Sequence, residues 1–343
     1  MITALITGIG GTNSIAVLKA LNASSVPHRS IGTDIKAFNA GSWLVDSSQI
    51  IPPVSSGSDY LTAIKQIVAD NDVKIIFATT ETEIAFLAQA KEQLEQEQKV
   101  VVMVADKEIL KICQDKYKTQ VFLRENDFID IPTALADDKE AVRQLVAQEG
   151  YPLVRKPLAG YGSRGVSVIR SEAEMLEYGY EAEYVVQKYI EGDSGQEFDE
   201  YTAEVFVNQD GSIAGGIIIQ RTLIRGESNS GKVVRDEKTL AYLTKVAQKL
   251  GIKGPCNFQY RKSEGKAYIF EINARYSGTS AVRAHFGFNN VDLALKSFVL
   301  GDHTTLKAED ITEGYFIRYW EEAYASVEEM QQFVRDGRMS NGK

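Results

Sequence analysis

Apolar residues in the first hundred positions follow two alternating rhythms. Residues 2–7 (ITALIT) form a short unbroken run that stops at Gly8-Ile9-Gly10-Gly11, and from Ser14 to Leu21 the apolar residues fall at 15, 17, 18 and 21. The first pattern predicts a buried strand, the second a helix with one apolar face. A strand over 28–33 ending at Asp34, an amphipathic helix over Tyr60 to Ala69 and a strand over Val73 to Thr79 continue the series. A helix over 81–98 follows, its charged second half (KEQLEQEQK) a solvated face, and then a strand over Val100 to Ala105. Strands spaced by helices in this way build a parallel, doubly wound sheet.

The texture changes after about residue 110. A helix near 107–124 leads to Pro132, a helix at 138–149 follows, and then comes an apolar strand broken by Gly and Pro. From 184 to 274 the chain reads mainly as strands: YVVQKYI, YTAEVFV, SIAGGIII, NFQYR and KAYIFEI. Asp210-Gly211 is a hairpin signal between two of them and Glu264-Gly265 a turn between two others, with one helix at roughly 237–250. The expected class is therefore α/β followed by α+β with long antiparallel strands. There is no internal repeat and no flexible linker, and the joint near 110–115 falls at a helix boundary. Beyond about 325 a helix frays into a polar end.

Composition narrows the functional classes. The 343 residues carry 47 acidic and 38 basic side chains, a formal charge of −9, which argues against a nucleic-acid partner. Cys113 and Cys256 are isolated and fit no metal spacing, as reduced thiols in a cytosolic protein would be. The start lacks the pattern of a signal peptide, and no apolar run approaches the ~20 residues that span a bilayer. A cytoplasmic location is the expectation.

Three polar clusters carry candidate chemistry. Gly8-x-Gly10 after a strand, with Asp34 further on, suits a dinucleotide, but Asn13 occupies the third glycine position; a tight turn without cofactor is the plainer account. Residues 151–168 (YPLVRKPLAGYGSRGVSV) place Lys156 at the end of a strand, then a loop with Gly160, Gly162, Ser163, Arg164 and Gly165. Glycines let backbone N–H groups approach phosphate oxygens and the lysine adds charge. The lysine precedes the glycines and a strand follows, so this is no P-loop. The third cluster is Cys256-Asn257-Phe258-Gln259-Tyr260 with Phe270-Glu271-Ile272-Asn273-Ala274-Arg275. Residues two apart share a strand face, so pairing through the turn at 263–266 gathers Asn257, Gln259, Glu271 and Asn273. Carboxylate and amide oxygens are what hard Mg²⁺ requires, and Arg275 continues the face toward a bound phosphate.

In this order, Lys116, the KP and glycine loop, VVQKYIEG, EYTAEVFV and NFQYR…FEINARYSGTS resemble the ATP-grasp superfamily. Within it the chain is most similar to the carbamoyl phosphate synthetase large-subunit type and its stand-alone relatives. The resemblance covers roughly residues 110–300, and residues 1–105 resemble the domain preceding ATP-grasp in such proteins. It implies a Rossmann-like domain over 1–112, a small ATP-grasp lobe over 113–188, a large lobe over 189–325 and a C-terminal helix and tail over 326–343. Lys116 and Lys156 would hold ATP phosphates from two sides under a mobile loop of residues 160–165. The backbone of Lys188 and Ile190 would face the adenine, with Gln187 near its amino group and Tyr189 in the same segment. Glu200 would accept the ribose hydroxyls, with Glu197 or Asp199 as alternatives because DSGQEFD is inserted before it. Gln259, Glu271 and Asn273 match metal positions, Glu271 bridging two Mg²⁺ ions, with Mn²⁺ able to replace them, and Arg275 matches a phosphate contact. Gln259 stands where many relatives carry a carboxylate.

The implied activity is an ATP-dependent carboxylate–amine ligase working through an acyl phosphate and releasing ADP and phosphate, with Arg275 and Lys156 as catalytic cations. No protein nucleophile is needed, which suits a chain with three histidines. Arg221, Arg225 and Arg283 border the cleft in this family and would pair with the acid, or serve as structural ion pairs. The polar segment 222–233 has the makings of a covering loop, and Glu81 either faces the substrate or simply charges a helix N-terminus. Expected partners are a small acid and amine, without nucleic acid or membrane, and a second copy in a homodimer. Competing readings are a carbamoyl-phosphate-type kinase, a nicotinamide-linked dehydrogenase and a silent nucleotide-binding protein.

Overall fold

The computed structural model describes residues 1–160, 164–193, 198 and 200–341. Gly162, Ser163, Glu197 and Asp199 lie outside the described residues.

The N-terminal alternation is present. Strands β1 (Ile2–Thr7), β2 (His28–Asp34), β3 (Ser47–Ile50), β4 (Val73–Phe77) and β5 (Val101–Val102) are parallel, joined in part by helices α1 (Thr12–Asn22), α2 (Ser58–Asn71) and α3 (Glu81–Gln98). β3 escapes the periodicity reading because SSQI is mostly polar. β5 is shorter than its apolar run, although Met103 N–H still donates to the Ile76 carbonyl. The single helix expected over 107–124 is two, α4 (Lys107–Cys113) and α5 (Lys116–Glu125). Asp115 separates them by accepting from the backbone N–H of Tyr117 and Lys118, which starts a new helix there.

Strands β6 (Thr133–Leu135), β7 (Leu153–Pro157), β8 (Ser167–Ile169) and β9 (Tyr184–Lys188) form a four-stranded sheet in the order β6-β9-β7-β8, with α6 (Lys139–Glu149) and α7 (Glu172–Tyr178) between them in sequence. This sheet has its own small core of Ala134, Val142, Leu145, Leu153, Ile169, Met175 and Val186.

The remaining strands are β10 (Glu200–Val207), β11 (Ile213–Ile224), β12 (Glu227–Val234), β13 (Gly254–Ser263), β14 (Lys266–Asn273) and β15 (Gly314–Ile317). They form an antiparallel sheet in the order β14-β13-β10-β11-β12-β15. Helix α8 (Glu237–Leu250) packs on β10 and β11, and α9 (Ser280–His285) and α10 (Asn290–Ala294) follow β14. The segment 222–233, expected as a covering loop, is instead the end of β11, a turn at Arg225-Gly226 and most of β12. Its serines and glycine hid a strand, and the turn is made by two successive positive φ angles, 53° and 78°.

The two large sheets share their core. Leu5, Ile31, Ile76 and Leu87 belong to one buried cluster with Leu110, Leu123, Tyr201, Phe258 and Ile272. The C-terminal segment differs from a fraying tail. After α11 (Val327–Asp336), residues Arg338–Ser340 form β16, antiparallel to β3 at the edge of the first sheet.

Candidate active site

The three sheets border one cleft of about 710 Å³. Its first wall is β7. Lys156 is 5% exposed, donates from Nζ to the Phe270 carbonyl at 3.5 Å and lies 5.4 Å from the Phe270 ring centre. Burial and the neighbouring Lys116 push its ammonium down to about 7, against the pull of Glu271 and Glu200. Lys116, the first residue of α5, donates to the Gly160 carbonyl at 3.4 Å. Gly160 and Gly165 both line or flank the turn after β7 at positive φ, 136° and 72°. A Cβ at Gly165 would stand 3.0 Å from Pro157, so the turn needs glycine there on both counts.

A second wall is the segment after β9. Gln187 donates to Thr133 at 2.8 Å, Lys188 pairs with Glu149 at 2.7 Å, and Tyr189 and Ile190 line the cleft beside them. The backbone here is partly engaged: the Lys188 N–H donates to the Pro132 carbonyl, and the Ile190 carbonyl accepts from Arg261 at 3.2 Å. Arg261, which also donates to the Tyr189 hydroxyl, was not anticipated.

The floor is the hairpin β13–β14. Asn257 stands opposite Asn273 and Gln259 opposite Glu271, the pairing expected from the turn at 263–266. Asn273 Nδ2 donates to Glu271 Oε1 at 3.1 Å. Asn257 is drawn away from this group, since its Oδ1 accepts from Thr202 and Arg283. Among the described residues no three His, Cys, Asp or Glu cluster as a metal site. One carboxylate with neighbouring amide oxygens is a donor set that fits a hard dication. Glu200 faces the same floor and pairs with Arg221 at 2.5 Å.

At the far end Arg275 donates to Glu81 at 2.5 Å and to the Tyr276 carbonyl at 3.0 Å. Thr12 donates to Glu227 at 2.8 Å, closing the β11–β12 turn onto the start of α1. Arg225, in that turn, lines the cleft, as does Arg318, which donates to the Gly278 carbonyl. Burial pushes the Arg318 guanidinium down while Glu227 pulls it up. Thr12, Glu227 and Arg318 carried no sequence signal, because three distant segments bring them together.

One expectation is corrected. Arg283, a substrate candidate, is fully buried outside the cleft and paired with Glu204; Ser277, Thr202 and Asn257 take its other bonds. The Gly8–Gly11 turn is not free to act as a dinucleotide cradle. Asp34 Oδ2 accepts from the Gly10 N–H at 2.9 Å, so the acid that would hold a ribose and the amide that would hold a pyrophosphate satisfy each other. Beneath the turn, a Cβ at Gly8 would come within 2.6 Å of Glu83, whose carboxyl is raised by burial.

Residues 181–323 match a family model described as ATP-grasp in the biosynthetic pathway with Ter operon. Over 182 residues the chain is 27% identical to the carbamoyl phosphate synthase arginine-specific large chain of Geobacillus stearothermophilus, covering 48% of this chain and 17% of that protein. A carbamoyl-phosphate synthase of Methanobrevibacter smithii is 27% identical over 249 residues, 67% of this chain and 64% of that one. The chain thus spans less than two thirds of either relative. Among solved structures, the biotin carboxylase–β,γ-ATP complex of Campylobacter jejuni superposes with a TM-score of 0.68 at 17% identity, covering 92% of this chain and 75% of that one. N5-carboxyaminoimidazole synthetase of Staphylococcus aureus, complexed with ADP, gives 0.68 at 16% identity, with 89% and 78% covered. Among the described residues no helix is long and apolar enough to cross a membrane.

Proposed function

We propose that this chain is an ATP-grasp protein and acts as an ATP-dependent carboxylate–amine ligase. The observation that carries the reading is the convergence in one cleft of Lys116, Lys156, Glu200, Gln259, Glu271 and Arg275 from two sheets, the segment after β14 and the helix α5.

The adenine end is the segment Gln187–Ile190, and Glu200 takes the ribose hydroxyls. Lys116 and Lys156 would hold the phosphates, and Glu271 with Asn273 would hold Mg²⁺, or Mn²⁺ in its place. Bound there, the ion supplies charge neutralisation at the terminal phosphates. Arg275, steadied by Glu81, faces the transferring phosphoryl group and stabilises the charge that spreads over it. A substrate carboxylate oxygen attacks the γ-phosphorus and ADP leaves, giving an acyl phosphate. An amine then attacks the acyl carbon, loses its proton, and phosphate departs. Because an acyl phosphate hydrolyses, excluding water from the cleft has a chemical purpose. Arg225 and Arg318 are the cations available to the acid, and the substrates are small enough for the cleft. A homodimer belongs to this proposal only as an expectation from sequence.

Supply of an ¹⁸O-labelled carboxylic acid with ATP tests the chemistry. The label should appear in released phosphate, with ADP as co-product, because the carboxylate oxygen becomes the bridging oxygen and leaves with phosphorus. AMP and pyrophosphate, or phosphate without the label, would overturn the mechanism.

A further inference from the structure

The floor of the cleft contains a buried cation of its own. Arg221 in β11 is 7% exposed, and its guanidinium donates to Glu200 at 2.5 Å, to Gln259 Oε1 at 2.9 Å and to Ser228 at 2.8 Å. A guanidinium offers donors only, so the Gln259 amide must turn its oxygen toward Arg221. The amide's other end is an NH₂ group, with no lone pair to give a metal ion. Arg221 thereby takes one of the two lone pairs on the one atom through which Gln259 would act as a ligand, and sets a positive charge beside the other. It also sits between an anion and a carbonyl oxygen, Glu200 and Gln259, in the way a bridging metal ion would. A dication reaching for the same Gln259 oxygen would stand close to a positive charge in a desolvated site, where repulsion is weakly screened. Glu271 and Asn273 lie on the neighbouring strand, where the Asn273 Nδ2 donates to Glu271 Oε1 and no arginine bond to the Asn273 oxygen occurs among the described residues.

We propose that the Arg221 guanidinium takes the place of a second divalent cation, so that the cleft binds one Mg²⁺ per nucleotide, on Glu271 and Asn273. This rests on the ATP-grasp reading and departs from the two-ion arrangement that the sequence resemblance implies. An uncharged glutamine at 259 then has a reason: a carboxylate there would be neutralised by Arg221 or would compete with Glu200 for it. Arg221 acts here as a positioning residue, fixing Glu200 and Gln259 while contributing its charge to the phosphate end.

Mn²⁺ takes the same oxygen ligands and is paramagnetic, so it can be counted by electron paramagnetic resonance. The measurement uses the whole chain with a saturating non-hydrolysable ATP analogue, whose binding is read separately by equilibrium dialysis. Wild-type protein should hold one Mn²⁺ per bound analogue and Arg221→Met two. Should Arg221→Met not fold, Arg221→Gln, which keeps hydrogen-bonding capacity without charge, is read in the same way. Two Mn²⁺ ions in wild type, or a spin-coupled pair, overturn the inference, as does a count of one in both proteins. Failure of the analogue to bind at all overturns the ATP-grasp reading itself, and the inference with it.

Discussion

The Nε of Arg275 donates to Glu81 Oε1 at 2.5 Å, joining the residue two beyond the end of β14 to the first residue of α3. The bond joins the end of the antiparallel sheet to a helix of the N-terminal unit, and it holds a cleft-lining arginine by a carboxylate of that unit. Arg275→Met should lower kcat by about a hundred- to a thousandfold, the cost of losing one preorganised charge at the transition state. Glu81→Gln keeps a neutral acceptor and should lose less, roughly tenfold. Equal losses in the two variants would show that Glu81 contacts the reacting groups itself.

Glu271→Gln is nearly isosteric and removes the one carboxylate of the hairpin floor. The fold should persist, with an unchanged melting temperature, while turnover with Mg²⁺ falls by about a thousandfold or more. Turnover within tenfold of wild type would mean that the ion is held elsewhere.

Lys156 should make ATP affinity depend on pH. The free enzyme loses this proton near pH 7, because burial penalises the ammonium. Phosphate oxygens beside the amine favour the charged form and raise its pKa in the complex. Between those two values binding takes up a proton, so affinity falls as pH rises, by up to about tenfold per unit above 7, and levels off below it. Lys156→Arg stays charged and should lack this component. Comparing the two proteins by calorimetry from pH 6 to 9 cancels the titration of the nucleotide; parallel profiles would contradict the assignment.

The sequence showed the chemistry of the floor more clearly than that of the rim. Gln259 and Glu271 were legible because strand periodicity and a short turn fix which side chains share a face, and the β13–β14 register bears this out. Helices α3 and α8 were legible from continuous 3.6-residue patterning. Arg318, Thr12 and Glu227 were not, since their meeting depends on the docking of α1 against the β11–β12 turn, far away in sequence. β12 was missed for a local reason: Ser228, Asn229, Ser230 and Gly231 have turn-like composition, and only pairing on both sides makes them a strand. Arg283 was misplaced because sequence carries no sign of burial for a charged residue whose partner, Glu204, lies on another strand.

That buried pair carries a stability prediction. Arg283→Met leaves Glu204 as an uncompensated buried acid and should destabilise the fold by about 3–5 kcal/mol in urea titration. Replacing both, with Glu204→Gln, should recover part of the loss. A change below about 1 kcal/mol in the single variant would mean that water reaches the site.

Thermal shift separates the nucleotide readings. ATP with Mg²⁺ should raise the melting temperature by mass action, whereas NAD and NADP should not, because Gly10 and Asp34 already bond to each other. A rise with NAD and none with ATP would reinstate the turn at Gly8 as a cofactor site.

The pairing of β16 with β3 has a consequence for synthesis on the ribosome. Until residues 338–340 emerge, β3 offers an open, hydrogen-bond-hungry edge to any other nascent chain. An early-made sheet therefore waits on late-made residues for its protection. Deleting residues 338–341 should leave the cleft intact yet make newly translated protein stickier, and chaperone dependence during expression is where that lesion would surface.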